Sequence, residues 1–323
     1  MASLARNVSA LFILDPIAVK YLVPCLLMLS WLSSAGPIHQ AEAVTIGGIQ
    51  QWIQISGADD QAPVLLFIHG GPGNSVMSYA DRFTTQLKQH FIVVLWDQRL
   101  SGKTATLNKF TPVSVGLLVQ DTQEVVRYLS TRFNQHKIYV MGHSWGGYLA
   151  LRLAIEKPQW LKACLVISPM IHQEESEKLT LSIMKQQAIA QNDQISLDEL
   201  NRVRIPFEDA EQLYIHRKGL SKLMNTTPPT RSRVQKWADP WLSVFNEATQ
   251  TNFLEVAPRL ECPTYFLIGR NDYQTYFKLT ENYYQKADCP EKKLYWFEQS
   301  AHNPHLTETP KFEQTVIDIK NLN

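Results

Sequence analysis

Hydrophobic and polar positions along this chain fall into two patterns that take turns. Short apolar runs occupy residues 64–68, 91–96, 137–141 and 161–167, with the length and composition of strands buried on both faces. Segments with helical spacing lie between and after them, at 75–89, 113–133 and 145–157. This order predicts a parallel sheet covered by helices on both faces, an α/β fold. Upstream, residues 44–55 alternate around Gly47-Gly48, the pattern of an antiparallel hairpin, so the sheet is expected to be mixed at one edge.

From Ser168 to about Pro258 the pattern turns into polar, helix-like segments broken at Pro206, Pro228-Pro229 and Pro240. Strands resume at 264–268 and 293–297, each followed by a helix. The expected organisation is a core of residues 44–168 and 259–323, with a helical cap, 169–258, inserted before the last two strands. Substrate would lie between cap and sheet.

Residues 1–43 differ from the rest. Arg6 and Lys20 precede an apolar run at 21–32, and small residues follow. That layout reads as a secretory signal or an N-terminal membrane segment. Candidate cleavage sites are Ser33-Ser-Ala35 and Ala41-Glu-Ala43, the second giving a mature start at Val44. The expected location is outside the cytoplasm, exported or anchored by this segment; a mis-assigned start would leave a cytoplasmic protein. Cys262 and Cys289 each stand just before a strand and could bridge in an oxidising compartment if those strands are neighbours. Cys164, inside a strand, reads as a buried thiol.

The chain has 323 residues, 45% hydrophobic and 19% charged, enough for a sizeable core. Its net charge of +1 supplies no basic field, which argues against a nucleic-acid partner.

The chemistry concentrates at Gly142-His-Ser-Trp-Gly-Gly147, set between the strand at 137–141 and the helix at 145–157. Strand, Gly-x-Ser-x-Gly and helix in this order form a nucleophile elbow, a sharp turn that lifts Ser144 clear of the sheet edge. Side chains at Gly142 and Gly146 would collide with neighbouring backbone. A serine hydroxyl needs a base, and the base an acid to orient it. In a fold of this kind the order is Ser, acid, His, each of the last two following a late strand. Asp272 follows the strand at 264–268 and His302 follows the strand at 293–297, so these two complete the candidate triad. His305 is the nearest rival base, His143 points the wrong way on its turn, and Asp121 reads as a structural acid within a helix.

An acyl-transfer intermediate carries negative charge on oxygen, which two backbone N–H groups normally receive. Trp145, next to the nucleophile, should supply one. Gly71, in the loop His69-Gly-Gly-Pro-Gly73 after the first parallel strand, should supply the other. His69 itself reads as structural.

These residues resemble the proline iminopeptidase family of α/β-hydrolases. The resemblance rests on His69-Gly-Gly-Pro-Gly73, Trp96-Asp-Gln-Arg99 with Ser101-Gly102, the elbow at Ser144, and Asp272 with His302. It spans about 44–320 and is weakest in the cap. It implies cleavage of an N-terminal residue, often proline, from peptides, with acidic cap residues receiving the free amine. Two departures stand out: Leu100 where the family commonly has glycine, and His143 where glycine is usual. The cap offers Glu174, Glu175, Glu177, Glu208, Asp209 and Glu211, most of which read as solvated helix charges.

The sequence therefore predicts a serine hydrolase that needs no cofactor and acts on a small peptide or ester through an acyl-enzyme at Ser144. An aminopeptidase of proline iminopeptidase type is the first choice and an esterase or lipase the alternative. A non-catalytic binding protein of the same fold is disfavoured by the intact triad. Metal catalysis is disfavoured because no histidine pair has the helical spacing of a zinc site.

Overall fold

The computed structural model describes residues 36–323. Eight strands form one sheet in the order β1-β2-β4-β3-β5-β6-β7-β8. They are β1 (Ile38–Ile46), β2 (Ile49–Gly57), β3 (Val64–Ile68), β4 (Ile92–Trp96), β5 (Ile138–His143), β6 (Leu161–Ile167), β7 (Thr264–Gly269) and β8 (Lys292–Phe297). The β1–β2 and β2–β4 pairs are antiparallel and the others parallel. The chain thus has the mixed, mostly parallel α/β sheet that its pattern predicts.

The parallel strands sort their side chains by period two. Val64, Leu66 and Ile68 of β3 pack on one side of the sheet with Leu118, Val125 and Leu149 from helices Val115–Arg132 and Trp145–Glu156. Leu65 and Phe67 pack on the other with Phe83, Phe312 and Val316. Both faces are therefore covered, which is why these strands lack a polar face.

Strand β1 begins at Ile38, six residues before the expected core start at Val44. It is an edge strand with many exposed positions, so His39-Gln-Ala-Glu42 carries no apolar face for a pattern to register. A cut after Ala43 would remove six of its nine residues. Residues 1–35, with the apolar leader and the cleavage site at Ser33-Ser-Ala35, lie outside the described residues.

Arg99 and Asp121 form a buried pair, with Arg99 Nη2 donating to Asp121 Oδ1 at 3.0 Å. Gln51 Nε2 also donates to Asp121, at 2.8 Å, which ties the hairpin to the helix carrying the acid. Asp121 is thus a structural group that joins the hairpin, Arg99 and the helix Val115–Arg132.

Between β6 and β7 the chain forms helices Gln173–Ala190, Gln194–Asn201, Ala210–Leu223, Arg231–Thr249 and Phe253–Val256. Two expectations need correction here and upstream. Pro240 does not break the cap: it lies exposed inside Arg231–Thr249, whose buried face runs Val234, Ala238, Trp241, Phe245 and Ala248 without interruption. Solvent can satisfy the carbonyl that its missing N–H leaves open. The helix expected at 75–89 shrinks to Asp81–Thr84 and a 3-10 turn, Leu87–Gln89. The Thr84 and Thr85 hydroxyls bond back to the carbonyls of Ala80 and Asp81, a competition that shortens helices. Cys164, Cys262 and Cys289 are free thiols; burial pushes Cys262 up to about 11.

Candidate active site

Ser144 sits between β5 and helix Trp145–Glu156 at φ 56 and ψ −115. A non-glycine residue in this region is strained and persists only when its surroundings impose it. The surroundings are two glycines. A Cβ on Gly142 would lie 2.0 Å from the carbonyl oxygen of Gly146, and one on Gly146 would lie 2.0 Å from that of Ile68. Strand, helix and the end of β3 approach to distances that only hydrogen allows.

Asp272 and His302, thirty residues apart in sequence, meet at the end of β7 and β8. His302 Nδ1–H donates to Asp272 Oδ2 at 3.0 Å. The other oxygen, Oδ1, accepts the N–H groups of Gln274 and Thr275 at 2.9 and 3.1 Å. Burial opposes the charge on Asp272, but the adjacent His302 ring and these hydrogen bonds outweigh it and hold its pKa down at about 2. The ring is thereby fixed with Nε2 as the free, basic nitrogen. Ser144 and His302 line one cavity. No hydrogen bond joins Ser144 Oγ to His302 in this structure; such contacts commonly form only as substrate settles.

Gly71 lines the same cavity. Trp145 N–H belongs to the first turn of its helix, where backbone donors have no intrahelical acceptor. Gln98 joins the two segments: its Nε2 donates to the His69 carbonyl at 2.9 Å, and its Oε1 accepts from Trp145 Nε1 at 3.0 Å. On the cap side, Trp237 Nε1 donates to the Pro72 carbonyl at 2.8 Å. The Gly-Gly-Pro-Gly loop is thus clamped from below and above.

The other histidines separate cleanly. His69 is buried with its nitrogens near Gly70 O and Ser101 Oγ, at 2.9 and 3.1 Å. His305 is buried against Phe83, at 4.8 Å between ring centres, and is absent from the cavity wall. His143 lines the cavity and donates through Nε2 to the His302 carbonyl at 2.9 Å. Burial, with the facing His302 ring, pushes His143 down to about 3.

The cavity encloses about 910 Å³ between the sheet edge and the cap. Among the described residues no Asp or Glu lines it; its arginines are Arg217 and Arg233. Glu174 pairs with Lys178 and Glu211 with Arg231. Asp209 caps its helix by accepting from Gln212 N, and Glu208 accepts from the Gln212 side chain. Glu175 stays half-buried. Glu177 alone is fully buried, held by Arg217 at 2.7 and 2.6 Å and by Gln173 Nε2 at 2.8 Å. Burial opposes its charge, but Arg217 outweighs this and keeps its pKa below the usual range.

Sequence reasoning missed Thr275, whose hydroxyl lies 2.8 Å from Asp272 Oδ2 and 3.0 Å from the Ser168 carbonyl. Its position three residues after Asp272, in the same turn, was the available signal. Gln173 was also missed. Its Oε1 is buried with no partner, and the residue lines the cavity.

Comparison with known proteins is consistent with this geometry. A family model described as serine aminopeptidase, S33, matches residues 59–310. A Bacillus subtilis (strain 168) protein named "Probable aminopeptidase YbaC" is 27% identical over 300 residues, covering 84% of this chain and 93% of the relative. The crystal structure of a proline iminopeptidase from Mycobacterium smegmatis superposes with a TM-score of 0.63 at 16% identity, covering 87% of this chain and 97% of that one. A thermophilic esterase from Thermogutta terrifontis does so with a TM-score of 0.55 at 16% identity, covering 89% and 98%.

Proposed function

This chain belongs to the serine aminopeptidase S33 family, a proline iminopeptidase-like group of α/β-hydrolases, and from that premise we propose that it hydrolyses small substrates through an acyl-enzyme on Ser144. The observation that carries this reading is the Asp272–His302 hydrogen bond beside a cavity shared by His302 and Ser144. Ser144 Oγ attacks the scissile carbonyl carbon while His302 Nε2 takes its proton. Asp272 stabilises the imidazolium that results. The oxyanion is received by the N–H groups of Gly71 and Trp145. His302 then passes its proton to the leaving amine or alcohol, and water, deprotonated by the same nitrogen, releases the acid from Ser144.

Within that class we assign an aminopeptidase that releases an N-terminal residue from short peptides. The cavity is capped, which suits chain ends and small molecules more than the middle of a long chain. Gln173 lines the cavity with its Oε1 buried and unpartnered, an acceptor that a protonated amine would engage once the side chain turns toward it, while its Nε2 is held by Glu177. The relatives named as a probable aminopeptidase and a proline iminopeptidase support this choice. One observation favours an esterase as the second reading: no free carboxylate lines the cavity to pair with an amine. Prolyl anilide and a short-chain aryl ester separate the two. Turnover of the anilide that is lost in Ser144→Ala supports the peptidase; turnover of the ester alone overturns it. We also propose that the residues before Pro37 direct export, since Arg6 and Lys20 precede an apolar run at 21–32 that lies ahead of the compact unit starting at Pro37.

A further inference from the structure

We propose that Arg233 receives a carboxylate of the substrate, and that this group is the C-terminal carboxylate of a short free peptide. The inference rests on the hydrolase reading above and adds to it the recognition of the substrate's far end.

Its basis is the charge on the cavity wall. With no Asp or Glu lining the space, the only formal charges apart from the histidines are Arg217 and Arg233. Arg217 is committed, since both Glu177 oxygens hold its guanidinium and the pair is neutral as a whole. Arg233 is different. Its backbone N–H bonds Thr230, but its guanidinium makes no ion pair among the described residues. The nearby acids are engaged elsewhere: Glu211 with Arg231, Glu199 with Lys218, and Asp239 with the Gln235 amide. An exposed cation at the rim of a half-open cavity, with no counter-ion among the described residues, is placed to receive an anion supplied from outside.

Its position says which end of the substrate it meets. Arg233 stands one helical turn before Trp237, which is bonded to Pro72 in the loop of Gly71. Gln173 lies on another part of the wall, tied by its Nε2 to the Gln274 carbonyl next to Asp272. The cavity wall therefore carries Gln173 beside the Asp272 turn, its Oε1 buried and unpartnered just behind the surface, and Arg233 on the helix bonded to the Gly71 loop, with Ser144 on the same wall. A short peptide is a zwitterion with an amine donor at one end and a carboxylate acceptor at the other, and it matches both. Long chains lack a carboxylate within reach, so the preference would be for free di- and tripeptides.

The test is equilibrium binding to the full chain carrying Ser144→Ala, with Pro-Gly-Gly, its C-terminal amide, and Glu-Gly-Gly amide as probes. A charge-assisted hydrogen bond is worth about tenfold in affinity. The free acid is expected to bind about tenfold more tightly than Pro-Gly-Gly amide, and Arg233→Gln on the same background is expected to erase the difference while leaving amide binding unchanged. Equal binding of acid and amide overturns the proposal, as does a preference that survives Arg233→Gln. Tighter binding of Glu-Gly-Gly amide than Pro-Gly-Gly, dependent on Arg233, overturns the C-terminal assignment in favour of an acidic side chain. Because this readout needs no turnover, it stands apart from the hydrolase reading, which fails separately if Ser144 in the wild-type chain does not react with a fluorophosphonate.

Discussion

The Nε2–H of His143 donates to the backbone carbonyl of His302 at 2.9 Å. The residue before Ser144 thus holds the loop that carries His302. His143→Ala should lower kcat about tenfold, the equivalent of one lost buried hydrogen bond, with KM nearly unchanged. His143→Gln, which keeps a donor on the side chain, should recover part of the loss. Since burial keeps His143 neutral, with its pKa at about 3, neither variant should shift the pH profile of kcat. Steady-state kinetics of both variants check this, and a shifted profile would mean that His143 titrates in the reaction.

Four buried histidines make the fold sensitive to acid. Burial lowers His69 and His305 from the ordinary 6.5, His143 to about 3 and His216 to about 4. Below pH 6.5 the unfolded chain takes up protons that the folded chain refuses. Stability must therefore fall as pH drops from 6.5, by about 1.4 kcal/mol per pH unit for each of His143 and His216 until their folded pKa values are approached. Asp272, with its pKa held at about 2, adds a further loss only below its ordinary 3.8. His305 makes no hydrogen bond through Nδ1 and packs against Phe83 and Phe312. His305→Leu should flatten the slope of unfolding free energy between pH 6.5 and 5; an unchanged slope in urea titrations would contradict the assignment.

Gln98 is the link between the loop of Gly71 and the helix of Trp145. Gln98→Leu leaves the His69 carbonyl and the Trp145 indole N–H unpaired in the interior, at a cost of about 1–3 kcal/mol each. The account predicts a matching drop in chemical stability together with a fall in kcat that exceeds any rise in KM. A stability loss with kcat intact would show that the link holds the fold without positioning the site.

Strand β1 pairs with β2 along its whole length, from Ile38 with Gly57 to Ile46 with Ile49. A chain starting at Val44 loses most of that ladder and exposes β2 as the new edge. It should melt below a chain starting at Pro37 and aggregate more readily. Equal melting temperatures would mean that residues 38–43 add no stability and would favour the second cleavage site, with its start at Val44.

What could be read in the sequence was local. Ser144, Asp272 and His302 each sit in a loop just past an apolar strand, so the order of strands alone placed them at one sheet edge. What escaped was non-local or hidden by weak patterning. Glu177 and Arg217 lie forty residues apart and meet only through helix packing, so nothing in the cap sequence marked one glutamate as buried among six acids. Thr275 and Gln98 act through side-chain hydrogen bonds that no periodicity records. Edge strand β1 lacked an apolar face, and Pro240 was overruled by the buried stripe on both sides of it.

The central claim is that Ser144 is the acylated nucleophile. Treating the native protein with a fluorophosphonate and mapping the adduct by peptide mass tests it directly. The account predicts one adduct, on Ser144, absent in Ser144→Ala, slowed strongly in His302→Ala, and accompanied by complete loss of hydrolysis. An adduct on another serine, or a Ser144→Ala protein that still turns over substrate, would contradict it.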